Sequence, residues 1–320
     1  MIDFRYHLVS IIAVFLALAI GIVVGTTALN GYVVDDLRAR NGKVIHDKRN
    51  LEDVVKGLRT QVSRREQFAA AIAPQAVAGQ LTGERVLIVT TPGASEQLVR
   101  DLTDLVSQAG GTPTGQLALR GDLLDPVKSA VVDDVVTQVA PAGLDLPSES
   151  TGERAALELA AAVVTRSEPV GISRDAAAKV LGGFTGADLV SVRRPAGSAS
   201  GSALTPATLV LLVTAGADGR PLDDVGRQRQ AVVLSLARTL DARSNGVVVA
   251  GPETAAGSGG LLEAVRADGS LSDDVSTVDS VDTAYGEVVA VLSLHEQAAG
   301  RAGRYGTGPG SQAAAPTQQQ

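Results

Sequence analysis

The sequence predicts an α/β protein: an N-terminal transmembrane helix, a coiled-coil stalk, and a Rossmann-like three-layer domain with a largely parallel sheet. Three observations predict it. Leu8 to Leu29, LVSIIAVFLALAIGIVVGTTAL, is apolar and uncharged. From Leu37 onward, leucine and valine return every seven residues. Beyond Gly83, short apolar runs alternate with amphipathic stretches, which is the mark of parallel strands joined by helices.

The first run is long enough to span a membrane, because an α-helix of about 20 residues crosses the hydrocarbon core of a bilayer. Globular helices of that length are seldom apolar on every face. The run also exceeds the core of a secretion signal, about 7–15 residues, although Thr26-Thr27-Ala28 loosely imitates a cleavage site. An uncleaved single-span anchor is the expectation, with a cleaved signal as its rival. Ala13, Ala17, Gly21 and Gly25 fall four residues apart and form one small-residue stripe. Such a stripe lets two helices approach closely in lipid and suggests a dimer, although Ala and Gly are common in membrane helices anyway. Arg5 precedes the span, while Arg38, Arg40, Lys43, Lys48 and Arg49 follow it. Counted naively, these charges place the following body in the cytoplasm, but long domains translocate largely regardless of such counts. Charge alone leaves the side open.

Between Tyr32 and Phe68 the pattern becomes a charged amphipathic helix. Leu37, Val44, Leu51 and Leu58 recur every seven residues, with Val55 and Val62 at the alternate seam positions. This is a heptad seam, and the expected structure is a parallel two-stranded stalk in which the protein is its own partner. A single solvated helix packing on its own domain is the alternative. Asn41 and Lys48 sit at seam positions and weaken it, and Gly42 and Gly57 lower helix propensity. Pro74 and the Ala- and Gly-containing stretch to Gly83 are expected to end the helix.

The remaining body predicts strands at Arg85–Thr91, Gln116–Arg120, Ala187–Val192, Thr208–Thr214, Gly246–Ala250 and Asp274–Asp279. Helices are expected from a Ser95 cap to Ala109, and at Asp125–Val139, Glu153–Thr165, Arg174–Leu181, Leu222–Leu240, Gly260–Ala267 and Asp282–Ala299. Pro195–Pro206 is loop by composition. The expected divisions are an anchor at 1–31, the stalk at 32–73, the α/β body at 74–299 and a disordered tail at 300–320. Strand order does not follow from pattern.

Composition narrows the function. A formal charge of −7 argues against nucleic acid as a partner, since phosphate binding needs clustered Lys and Arg. Four Tyr and four Phe cannot supply the aromatic girdles of a transmembrane β-barrel. With no Cys there is no disulfide, thiolate metal site or Cys nucleophile. The turn Thr90 to Ser95 lacks the phosphate-binding glycines of G-x-G-x-x-G, and its Pro92 removes a backbone donor. Gly257 to Gly260 could hold an anion before a short helix, but a flexible turn is favoured. His7, His46 and His295 are dispersed. The pairs Asp133-Asp134, Asp223-Asp224 and Asp273-Asp274 are read as structural, mostly as acids at helix starts. No catalytic, cofactor-binding or metal-binding constellation emerges, and the protein is not expected to be an enzyme.

Two long stretches carry a family resemblance: the opening MIDFRYHLVSIIAVFLALAIGIVVG and the ending VSTVDSVDTAYGEVVAVLSLHEQAAGRAGRYG. With LIVTTPG and TGQLALRGDLLDP between them, the chain resembles the actinobacterial MctB family, also called SteB in corynebacteria. The resemblance covers nearly everything before the tail. It implies a copper-transport outer-membrane protein associated with copper efflux and tolerance. It also implies the rival role given to SteB, a membrane-anchored partner of SteA in daughter-cell separation and peptidoglycan-hydrolase control. Either role places the body outside the cytoplasmic membrane. Copper is suggested by the family name alone: copper(I) wants Cys or Met sulfur and copper(II) imidazole, whereas this chain has no Cys, Met1 only and three scattered His. The residues favour a non-catalytic scaffold that dimerises through helix and stalk and binds an envelope or cell-division protein.

Overall fold

The computed structural model describes residues 3–144, 150–166, 172–195 and 204–317, without the side chains of 3–4 and 27–39. The chain divides into two compact units, Met1–Arg65 and Glu66–Gln320. Helix α1 (Asp3–Val77) supplies the described part of the first unit and the opening of the second. Within it, Arg5–Thr26 is long and apolar enough to cross a membrane, with a mean hydropathy of 2.9 and no buried residue. The helix ends at Val77, inside the expected stretch from Pro74 to Gly83, with Pro74 itself in the last turn. Proline forfeits one hydrogen bond to the preceding turn. Burial of Ala73 and Val77 in the core of the second unit holds the last turn in place.

The second unit is a mixed α/β body with seven strands among the described residues. In chain order it runs β1 (Arg85–Thr90), α2 (Glu96–Gln108), β2 (Thr112–Leu119), α3 (Gly121–Leu124), α4 (Ser129–Val139) and α5 (Thr151–Val163). It continues with α6 (Arg174–Gly186), β3 (Val190–Arg193), β4 (Leu209–Val213), α7 (Asp224–Arg243), β5 (Val247–Ala250) and α8 (Leu261–Ala267). Then follow α9 (Gly269–Asp274), β6 (Ser276–Val278), α10 (Ala284–Ala298) and β7 (Arg304–Tyr305). The sheet order is β3-β2-β1-β4-β5-β6-β7, and every neighbouring pair is parallel except β2 with β3.

Successive strand residues point to opposite faces, and both faces are apolar. Leu87, Val89, Val210, Leu212, Val247 and Val249 pack with α4, α5, α6 and α7 on one side. Val86, Ile88, Leu209, Leu211, Val213 and Val248 pack with α2, α10 and the end of α1 on the other. Strands buried on both faces read as unbroken apolar runs, which is why β1, β4 and β5 were visible in the sequence. The second strand starts at Thr112, four residues before the expected Gln116. Its polar first half hides it, and its register shifts at Gly115 (φ 144), where a Cβ would come within 2.7 Å of the Arg193 carbonyl oxygen.

The expected disorder from residue 300 is overturned as far as residue 317. Arg304–Tyr305 adds a seventh strand beside β6, and Tyr305 pairs again with Ala313. The physical cause is polar, which is why apolar patterning missed it. Asp279 is wholly buried at the end of β6, and its Oδ1 accepts the backbone N–H groups of Thr307 (2.7 Å) and Gly308 (3.1 Å). Arg266 of α8 donates to Asp279 (3.0 Å), to the carbonyls of Tyr305 and Pro309, and to Thr277.

Candidate functional site

Open parallel sheets bind ligands beyond the carboxyl ends of the strands, at the point where strand order reverses. Here that point lies between β1 and β4. A crevice of about 830 Å³ opens there, walled by Thr91 and Pro92 after β1, the segment Thr214–Asp223 after β4, Asp122 and Asp125, the start of α7, and Gly259–Leu261. A smaller hollow of about 370 Å³ shares the wall Thr214-Ala215-Gly216 and faces α2 and α10.

Hydrogen bonds hold the floor of the crevice. Thr91 Oγ1 donates to Thr214 Oγ1 (3.2 Å) and accepts from the Ala215 N–H (3.4 Å), joining the ends of β1 and β4. On the α7 side, Gln230 Nε2 donates to the Gly260 carbonyl (3.0 Å), and Arg229 lies 3.5 Å from Asp125. Asp223 caps α7 by accepting from the Gly226 N–H at 2.7 Å.

The lining carries the carboxylates Asp122, Asp125, Asp218 and Asp223 against the guanidiniums of Arg220 and Arg229. Such a surface repels a phosphate, in keeping with the missing glycine fingerprint after β1. The Gly257–Gly260 turn keeps its own donors occupied: the Gly260 N–H donates to the Gly257 carbonyl and the Gly259 N–H to Glu263. In the smaller hollow, Glu287 is pushed up to about 7 by burial and by the neighbouring carboxylates of Asp101 and Glu66. Glu66 also accepts the Ala284 N–H at the start of α10 (2.9 Å).

Copper does not fit these donors. The crevice offers hard carboxylate and hydroxyl oxygens, whereas copper selects thiolate, thioether or imidazole. Among the described residues no group of three His, Cys, Asp or Glu side chains could hold a metal ion. His7, His46 and His295 are exposed and lie on separate stretches, and His295 bonds the Gln80 carbonyl through Nδ1.

The residues singled out for pairing lie in the first unit. Ala13, Ala17 and Gly21 are exposed and Gly25 half-exposed, and a Cβ on either glycine would meet nothing within 4 Å. Val44, Leu51, Leu58 and Val62 are each more than half exposed, and Val55 is 39% exposed. Leu37 falls within 27–39, where side chains are outside the described residues. Of the acid pairs, Asp133 binds Thr151 and Arg154, and Asp223 and Asp224 occupy the start of α7. Of the crevice lining, the turn holding Thr91 and Pro92 and the turn holding Gly259 and Gly260 stand out in the sequence, but nothing local makes them neighbours of each other or of the segment after β4.

Comparison with known proteins gives chain-long matches. A family model described as "Copper transport outer membrane protein, MctB" matches residues 1–316. The "Copper transporter MctB" of Mycobacterium tuberculosis strain H37Rv is 30% identical over 319 residues, covering 97% of this chain and 98% of that protein. The protein of the same name from Mycobacterium bovis gives the same values. The one from Mycobacterium leprae is 28% identical over 321 residues, with the same coverage.

Proposed function

The chain belongs to the MctB copper-transport family, and from that premise we propose that it serves copper transport as a membrane-anchored, non-catalytic scaffold acting as a parallel dimer. Its α/β body, of Rossmann-like three-layer type, lies outside the cytoplasmic membrane and presents the crevice to an envelope protein. The observation that carries this reading is the seam Val44, Leu51, Val55, Leu58 and Val62, which leaves a row of large apolar side chains in water on a helix. Leucine alternating with valine in such a seam favours a two-stranded parallel coiled coil. The small-residue stripe in the span supports the same pairing. With no ionisable residue between Leu8 and Leu29, the span is an anchor and a poor path for an ion.

The seam is tested by disulfide formation, which the absence of native Cys makes clean. Leu51→Cys and Leu58→Cys should each crosslink two chains in membranes under mild oxidation. Failure at both, with crosslinking elsewhere between residues 40 and 65, rejects this register. Copper titration of the full chain in detergent should give no stoichiometric, tight binding of Cu(I) or Cu(II); a saturating one-to-one complex refutes the scaffold reading. Protease added outside sealed cells should digest the body.

The crevice, open and without soft donors, also favours a second reading. In it the protein regulates cell separation and peptidoglycan hydrolysis through a SteA-like partner. A deletion strain separates the two: copper sensitivity with normal septation supports the first, chained cells with normal copper tolerance the second.

A further inference from the structure

Glu158 sits in the middle of α5 with no exposed surface, and neither carboxyl oxygen has a hydrogen-bond partner. One turn earlier, the buried Nε of Arg154 also lacks a partner, while the far end of the same guanidinium pairs with Asp133 of α4. Asp133 in turn accepts from Thr151 Oγ1 at 3.2 Å, which ties α4 to the first turn of α5. Residues four apart share one helix face, with Cβ atoms about 6 Å apart. An orphaned donor and an orphaned acceptor therefore stand side by side.

A buried carboxylate with no donor is strongly disfavoured, so this arrangement belongs to the neutral acid. Burial outweighs the attraction of Arg154 and Lys179 and lifts Glu158 to about 7. The surroundings offer few charges. Lys179 comes from α6 and is exposed, α4 brings Asp133 beside an apolar Val135, Val136 and Val139, and α7 buries Val233, Leu236 and Ala237. Asp134, the other acid of α4, is exposed.

We propose that Arg154 is the moving part of a proton-linked switch: it holds Asp133 while Glu158 is protonated, and turns to Glu158 once that proton has passed to solvent. The exchange takes the guanidinium away from Asp133 and leaves that carboxylate to Thr151 Oγ1, at the first residue of α5. Thr151 lines a hollow of about 140 Å³ together with Leu124 and Asp125, and both of those also wall the main crevice. The switch thus acts on the wall of the candidate site.

The test is a pair of double-mutant cycles on the full chain in detergent at about pH 5.5 and about pH 8.5, on either side of the Glu158 midpoint. Asp133→Asn and Arg154→Met should couple by about tenfold in the unfolding constant at the lower pH and by less than about twofold at the higher. Glu158→Gln and Arg154→Met should show the reverse. An Asp133–Arg154 coupling that is equal at both pH values overturns the switch. A second readout needs no Arg154 variant: the infrared carboxylic-acid band that Glu158→Gln removes. Its midpoint should fall by about one pH unit in Asp133→Asn, where Arg154 is free to turn. A midpoint that stays within about 0.3 unit also overturns the switch.

Discussion

Asp279→Ala is expected to release residues 303–315 from the sheet edge and to lower the stability of the α/β unit by about 3–5 kcal/mol, the usual cost of stranding one member of a buried ion pair. The side chains of Arg266 and Asp279 are 4% and 0% exposed. Removing the carboxylate leaves a buried guanidinium without its counter-charge. It also leaves the N–H groups of Thr307 and Gly308 and the Ser280 hydroxyl without their acceptor. The space around the carboxylate is shaped by glycine: a Cβ on Gly306 would lie 2.1 Å from Asp279 Oδ1. Amide hydrogen exchange reads the result directly. Protection of 304–313 should collapse in the variant before that of β1 and β4. Unchanged protection there would show that Tyr285, whose hydroxyl bonds the Ala314 carbonyl, and Tyr305, whose hydroxyl bonds Glu296, hold the segment without Asp279.

Glu158→Leu is expected to stabilise the protein by about 3 kcal/mol at pH 8 and to change it far less near pH 4.5. The sign follows from proton counting. Burial raises Glu158 from 4.5 to about 7, so the folded chain keeps a proton that the unfolded chain has already lost between those values. Stability from this group is complete below about 4.5, falls as pH rises to about 7, and is flat above. Glu287, raised to about 7, and Asp241, raised to about 6 by burial and Asp274, add slopes of the same sign. The informative quantity is therefore the difference between wild type and Glu158→Leu in denaturant midpoints across pH. Parallel profiles would reject the assignment. Leucine suits the site because neither oxygen of the protonated carboxyl has a bond to lose, Arg154 stays with Asp133 in the variant at every pH, and the neighbours on α4 and α7 are aliphatic.

How much of this was legible depended on the range of the signal. The span from Leu8 and the strands β1, β4 and β5 announce themselves in apolar runs. Ser95, Asp223 and Thr283 cap helices within three residues of themselves. Elements made by partners far along the chain were hidden. Thr112–Gly115 reads as polar, and extends the strand expected from Gln116 because β1 lies beside it. Arg304 and Tyr305 look like part of a Gly-, Ala- and Gln-rich tail, and become a strand because Arg266 and Asp279 wait for their backbone. The crevice needed strand order, since Thr91 and Thr214 are 123 residues apart.

By itself the sequence determined an apolar run long enough to span a membrane, a heptad repeat of Leu and Val, the alternation of strand and helix, and a scarcity of sulfur and imidazole. These follow from composition and from periods of two, three and a half, or seven residues, which are properties of a local stretch. Only the tertiary structure decided the reversal at β1 and β4, the crevice beyond it, the buried Arg266–Asp279 pair and the isolation of Glu158. Each of these depends on which distant groups share a desolvated space, where an unmet charge costs several kcal/mol and a met one costs little.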